Sequence, residues 1–212
     1  MIAFNHIHLS FNGKKVLDDL SLAVERGEKV VILGKSGSGK SSLFSLLLGF
    51  LEPDAGEIFF AGRRVDEKSV WEVRRKVAYI DQDVSLGSGT IFDLLDFIAR
   101  LKTNLHLGQI RKEADELQHY FELSDEVLNK NIEELSGGER QRLAVMIAVL
   151  LHRDVFLLDE VTSALDLHLK KKVADFFIDR KDWTCLVISH DPVWLENPAV
   201  KVFDLEEKTW RL

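Results

Sequence analysis

Residues 29–43 read KVVILGKSGSGKSSL. The run KVVIL, residues 29–33, is apolar after its lysine, as expected of a strand buried on both faces. Residues 41–50, SSLFSLLLGF, carry a helical pattern that Gly49 and Pro53 bring to an end. Between strand and helix stand Gly34, four further residues, Gly39, Lys40 and Ser41, which is the spacing of a phosphate-binding loop in its strand–loop–helix setting. Phosphate oxygens need several backbone N–H donors converging at close range, and a side chain on every residue would obstruct them. The helix N-terminus adds the positive end of its dipole. A serine-rich turn is the competing reading, and the flanking strand and helix argue against it. The stretch therefore predicts a nucleoside triphosphate site formed by Gly34, Lys35, Ser36, Gly37, Ser38, Gly39, Lys40, Ser41 and Ser42. Lys40 would reach the β- and γ-phosphates, and the Ser41 hydroxyl would ligate Mg2+.

Such a site needs a carboxylate at the end of a second buried strand. VFLLDE, residues 155–160, supplies Asp159 to hold Mg2+ through water and Glu160 to orient or deprotonate the attacking water. An acidic pair after a strand is by itself usually a helix start or a solvated turn. Beside a phosphate loop the catalytic reading is the better one.

The 212 residues, 46% of them hydrophobic, are enough to bury a sizeable core. A net charge of −7 disfavours nonspecific binding to nucleic acid or anionic lipid, and no nucleic-acid partner is expected. The single cysteine, Cys185, lies in the apolar run TCLVIS and reads as a buried, inert thiol, which suits a reducing compartment. Apolar stretches such as LAVMIAVLL at 143–151 fall short of the roughly 18 residues that a membrane-spanning helix requires. Residues 1–11 lack the features of a signal peptide. A soluble, cytoplasmic protein is expected, any membrane part belonging to another chain.

Further strands are read in IAFNHIHLSF, SLAV, EIFFAG, KVAYID and CLVIS, and a hairpin in VKVFDLEEKTWRL with its turn at Glu206–Lys208. Helices are read in IFDLLDFIARL, QIRKEADELQHYF, GERQRLAVMIAVLL and LHLKKKVADFFID. This alternation predicts an α/β core, with an added antiparallel sheet near the N-terminus and an inserted helical subdomain.

A second glycine motif, LSGGERQR, occupies residues 135–142. Ser136 and Glu139 have the spacing of a capping box, which fixes a helix start. That accounts for Ser136 and Glu139 but not for Gly137 and Gly138 together, since glycine weakens a first helical turn. Close backbone approach to a ligand is the usual reason for such glycines.

With this motif the chain resembles the nucleotide-binding subunits of ABC transporters. The matches, in order, are Phe11, GKSGSGKS, Gln82, LSGGERQR, VFLLDE, SALD and His190. The resemblance implies one domain over residues 1–212: a RecA-like phosphate-loop NTPase core of mixed sheet plus the β subdomain (1–82 and 151–212), and a helical subdomain over about 83–150. It implies ATP and Mg2+ as cofactors and two subunits packed head to tail, with Ser136, Gly137 and Gly138 on the γ-phosphate of the partner's ATP. A homodimer would then form two complete sites by symmetry. A separate transmembrane permease subunit would hold the pair at the inner face of the cell membrane. A soluble relative that assembles a cofactor or moves a scaffold is the alternative.

The same resemblance assigns Phe11 to adenine stacking, with buried strand-end packing as the rival. Gln82 would reach Mg2+ or the attacking water, and His190 the γ-phosphate. Asp166 would touch the opposing subunit, cap the next helix, or both. No role is read for Asp81 or Asp83. The remaining histidines (His6, His8, His106, His119, His152 and His168) read as structural or solvated. Trp71, Trp183, Trp194 and Trp210 are expected to pack the core or its edge, and LKKKV, 169–173, to form a solvated helix face. GSGTIF at 87–92 resembles exporter-type chains, whereas NKNIEELSGG lacks their acidic-glycine stretch, so the direction of transport stays open.

Overall fold

The structure, a computed structural model, describes residues 1–101, 104 and 110–211; His106, and Gln109 at the start of the second expected helix of the insertion, lie outside them. In chain order come β1 (Ile2–Phe11), β2 (Lys14–Val24), β3 (Lys29–Leu33), α1 (Lys40–Leu47), β4 (Ala55–Phe60), β5 (Arg63–Arg64), α2 (Val70–Lys76) and β6 (Val77–Ile80). The insertion follows with α3 (Ile91–Arg100), α4 (Ile110–Tyr120) and α5 (Gly137–Leu150). The chain then returns through β7 (Val155–Asp159), α6 (Leu167–Ile178), β8 (Thr184–Ile188), the short α7 (Pro192–Leu195), β9 (Val200–Asp204) and β10 (Thr209–Arg211).

Every residue of β3, β7 and β8 is buried, because these strands have packing on both faces. Period-two alternation sorts their side chains between two cores. Val30, Ile32, Leu157 and Leu186 face α1 and the N-terminal sheet, together with Phe4, Leu43 and Phe44. Val31, Phe156, Leu158 and Val187 face the helices, together with Val145, Phe177 and Trp194.

The N-terminal sheet has the order β2-β1-β4-β5 and is antiparallel throughout. The central sheet has the order β10-β9-β3-β8-β7-β6. Strands β9, β3, β8, β7 and β6 run parallel and β10 antiparallel, so the sheet is mixed. Among the described residues, no helix is long and apolar enough to cross a membrane.

The tryptophan expectation holds for three of four. Trp194 is fully buried, and Trp183 packs 4.4 Å from Phe156 between ring centroids. Trp210, 39% exposed, packs at the core's edge against the buried Phe203, whereas Trp71 is 62% exposed beneath the Arg74 guanidinium. The lysines of 169–173 are also not a simple solvated face. Lys170 pairs with Asp191 at 2.8 Å and Lys172 with Glu122 at 2.6 Å, both with their side chains three-quarters or more covered. Cys185 is buried, which pushes its thiol up to about 12.

Candidate active site

Parallel strands bring their C-terminal ends to one edge of a sheet, and the loops leaving that edge form the site. The phosphate loop follows β3, Gln82 follows β6, Glu160 follows β7 and His190 follows β8. With Phe11 from the end of β1, these loops line one cleft of about 540 Å³. Phe11 is 42% exposed there, which removes the buried-packing alternative. From the loop and α1, Ser36, Gly37, Gly39, Lys40, Ser41 and Ser42 line it as well. Val16 and Ser163 line it too, and neither was singled out from the sequence.

Gly37, at φ 80°, faces open space, so the backbone is bare where a ligand would approach. Gly39, at φ 97°, has another reason: a Cβ there would come within 2.7 Å of Val16 and 2.9 Å of Leu17. Gly39 is the N-cap of α1 and provides no side-chain cap, so the first N–H groups of the helix keep their hydrogen-bonding capacity for an anion. A triphosphate fits this arrangement. The Lys40 ammonium donates to the carbonyls of Gly34 (2.7 Å) and Lys35 (2.9 Å), which fixes it over the loop.

Three predicted loop residues do not line the cleft. Gly34 and Lys35 face the β9–β10 side, where Glu206 accepts from the Lys35 amide at 2.6 Å and from its ammonium at 2.9 Å. Ser38 Oγ is buried with no hydrogen-bond partner among the described residues.

Ser41 Oγ donates to Asp159 Oδ2 at 2.7 Å, and Gln82 stands in the same cleft. A hydroxyl, a carboxylate and an amide oxygen form a hard donor set that suits Mg2+, which normally completes its shell with phosphate and water. Burial pushes the Asp159 carboxyl up, and the nearby Asp81 carboxylate adds to the effect. Asp81, which the sequence left without a role, is thus an acidic neighbour of the candidate metal ligand.

Glu160 is also pushed up, chiefly by burial. Its backbone is left-handed, at φ 50°, a conformation that costs a residue with a Cβ about 1–2 kcal/mol. The Glu160 N–H donates to the Ile188 carbonyl at 2.9 Å. Next to His190, the Asp191 carboxylate accepts from Thr162 and from Lys170, both at 2.8 Å, which ties the His190 loop to the turn after Glu160.

The capping box forms as the spacing predicts. Ser136 Oγ accepts from the Glu139 N–H at 3.2 Å, and Glu139 accepts from the Ser136 N–H at 2.9 Å. That backbone bond, with Lys130 at 3.0 Å, lowers Glu139 to about 2. The two glycines divide in function. A Cβ on Gly138 would lie 3.1 Å from the Ala164 carbonyl oxygen, so intramolecular packing explains it; a Cβ on Gly137 would meet only an ordinary contact at 3.5 Å. Crowding by Ala164 thus gives Gly138 a packing reason of its own, beside the ligand approach expected of both glycines. Ser136 and Gly137 are exposed, and with Gly138 they lie outside the cleft of their own chain. Asp166 caps α6 by accepting from the Leu169 N–H at 2.9 Å.

Two residues of LSGGERQR carry contacts that the sequence did not disclose. Gln141 bonds the loop after β7. Arg142 donates to the carbonyls of Phe121 (3.0 Å) and Glu122 (2.6 Å), fixing the end of α4 on α5.

The ABC transporter family model matches residues 17–163, a span that holds the phosphate loop, the LSGGERQR helix and the Asp159–Glu160 pair. The chain belongs to the ABC transporter family.

Among relatives, the ATP-dependent lipid A-core flippase of Ralstonia nicotianae is 34% identical over 92% of this chain and 35% of its own length. The xylose/arabinose import ATP-binding protein XylG of Sulfolobus acidocaldarius is 30% identical over 97% of this chain and 84% of its own. The chain thus spans about a third of the length of the flippases it matches. The dimeric structure of the bacterial ABC transporter cassette MJ0796 superimposes with a TM-score of 0.79 at 24% identity, covering 96% of this chain and 94% of that one. An Atm1-family ABC exporter with ATP bound gives a TM-score of 0.83 at 22% identity, over 100% of this chain and 38% of that one. The fold is that of an ABC ATPase cassette.

Proposed function

We propose that two copies of this chain close around two Mg·ATP and that the closure drives a transmembrane permease. The observation that carries this reading is the separation of two half-sites. The phosphate loop, Asp159, Glu160 and His190 share one cleft, while Ser136 and Gly137 open α5 outside it, exposed. A second copy related by a twofold axis would bring each Ser136–Gly138 turn onto the other's nucleotide, completing two equal sites.

In such a site the N–H groups at the start of α1 and the Lys40 ammonium neutralise the phosphates, and Phe11 stacks on the base. Ser41, Gln82 and Asp159 would hold Mg2+, whose charge stabilises the phosphoryl oxygens. Glu160 accepts the proton of the attacking water and His190 contacts the γ-phosphate, while Asp166 meets the partner. Residues 83–150 act as the helical subdomain. A groove lined by Ile80, Val84, Leu86, Ala144, Ala148 and Leu151 lies between the Gln82 loop and α5, and it suits a short apolar helix from the permease. This assembly would sit on the inner face of the cell membrane.

The experiment is Glu160→Gln. Turnover should fall by about 10²–10⁴-fold while ATP binding persists and dimer accumulates on sizing columns. Undiminished turnover would remove Glu160 from its role, and absence of an ATP-dependent dimer would remove the shared site. Co-purification with a polytopic membrane protein supports the permease; recovery with soluble partners alone would favour an assembly ATPase instead.

A further inference from the structure

Gln141 is the fifth residue of α5 and 5% exposed, and its side-chain amide is fully engaged. Its Nε2 donates to Ser163 Oγ at 2.8 Å and to the Glu160 carbonyl at 3.2 Å, while its Oε1 accepts from the Ala164 N–H at 3.0 Å. All three partners lie in the turn that follows β7. This turn begins with Glu160 in its left-handed conformation, which persists only where surrounding contacts hold it. β8 holds the N–H side through Ile188, and Gln141 is the tie from α5 to the carbonyl side.

We propose that Gln141 is the positioning residue for Glu160. It fixes the left-handed turn and makes the place of the carboxylate depend on the place of α5. Ser136 caps the same helix, so any force on its N-terminus reaches Glu160 through a rigid helical turn and one buried amide. The inference rests on the reading of Glu160 as the base and of the α5 N-terminus as the part that meets the partner's nucleotide. One subunit's grip on its neighbour's ATP then sets the geometry of its own hydrolytic site.

The test is Gln141→Leu, which keeps the volume and removes the amide, with Gln141→Glu as the variant that keeps the acceptor for Ala164. Either should lower kcat on the order of 10–100-fold with KM for ATP within about twofold, the size expected when a reacting group is misplaced by a fraction of its working distance. In the Glu160→Gln background, Gln141→Leu should leave the residual rate unchanged, since no base remains to be positioned. Unchanged kcat in a folded Gln141 variant, or a loss that multiplies with Glu160→Gln, overturns the proposal. So does failure of both variants to fold, which would assign the amide to stability alone. Glu160→Gln by itself separates the two layers: normal turnover there sinks the base assignment, whatever Gln141 does.

Discussion

Ser41 Oγ donates to Asp159 Oδ2 at 2.7 Å, joining the first turn of α1 to the end of β7 across 118 residues. The bond holds together the two groups that a hard cation would need. Burial outweighs the lowering effect of this bond and keeps the folded pKa of the carboxyl above its ordinary value.

The sign of that shift makes a prediction. A carboxyl raised on folding binds its proton more tightly in the native state, so its contribution to stability is retained below the unfolded value of 3.8 and lost as pH rises through the folded pKa. Asp159→Asn should therefore melt higher than the parent at pH 7 without nucleotide or metal, and the gain should vanish in acid. The same variant should lose Mg2+-dependent turnover by more than about 100-fold. A lower melting temperature at pH 7 would contradict the burial argument.

The two glycines of LSGGERQR should respond differently to alanine. Gly137→Ala gains helix propensity of up to about 1 kcal/mol and meets no crowding, so its melting temperature should rise or hold. Gly138→Ala pushes on the Ala164 carbonyl and should be less stable than Gly137→Ala by about 1–3 kcal/mol in denaturant titration. Gly137→Ala should weaken ATP-driven dimerisation while leaving the monomer intact.

Glu139 is lowered on folding, from 4.5 to about 2, so its stabilisation is present above 4.5 and lost as pH falls toward 2. Glu139→Gln should cost about 0.5–1.5 kcal/mol at pH 7, the range for one half of a capping box. Parent and variant should converge across that acid window when melts are compared.

Phe11→Ala should weaken ATP binding by about 1–3 kcal/mol, the range for one aromatic face on a base, and Phe11→Tyr should restore it. Titration with a fluorescent ATP analogue reads the change. A triphosphate lacking a base should bind both proteins equally.

The parts of the site that were legible in the sequence are the contiguous ones. In GKSGSGKSS, VFLLDE and VISHD, strand, turn and functional group follow one another within a few residues, so local pattern and chemistry coincide. Gln141 was not legible, because its partners lie 19 to 23 residues further along and nothing local requires an amide there. The packing role of Gly138 was not legible for the same reason, since the Ala164 carbonyl that crowds it comes from another loop. The left-handed backbone of Glu160 was not legible either, since the groups bonded to it, the Ile188 carbonyl and the Gln141 amide, lie on β8 and α5. α2 was missed because seven residues with two buried valines give too short a periodic stretch to read. Trp71 was misplaced because a large ring can stay largely exposed with only a guanidinium stacked on one face.

The backbone at Glu160 also bears on any attempt to harden this motor by laboratory evolution. Glycine and asparagine adopt a left-handed turn more readily than glutamate does, so a library screened only for survival of heat is drawn toward discarding that side chain. The toughest clones from such a screen should include ones that grip ATP and never let it go, and only a screen that also scores released phosphate would keep the engine running.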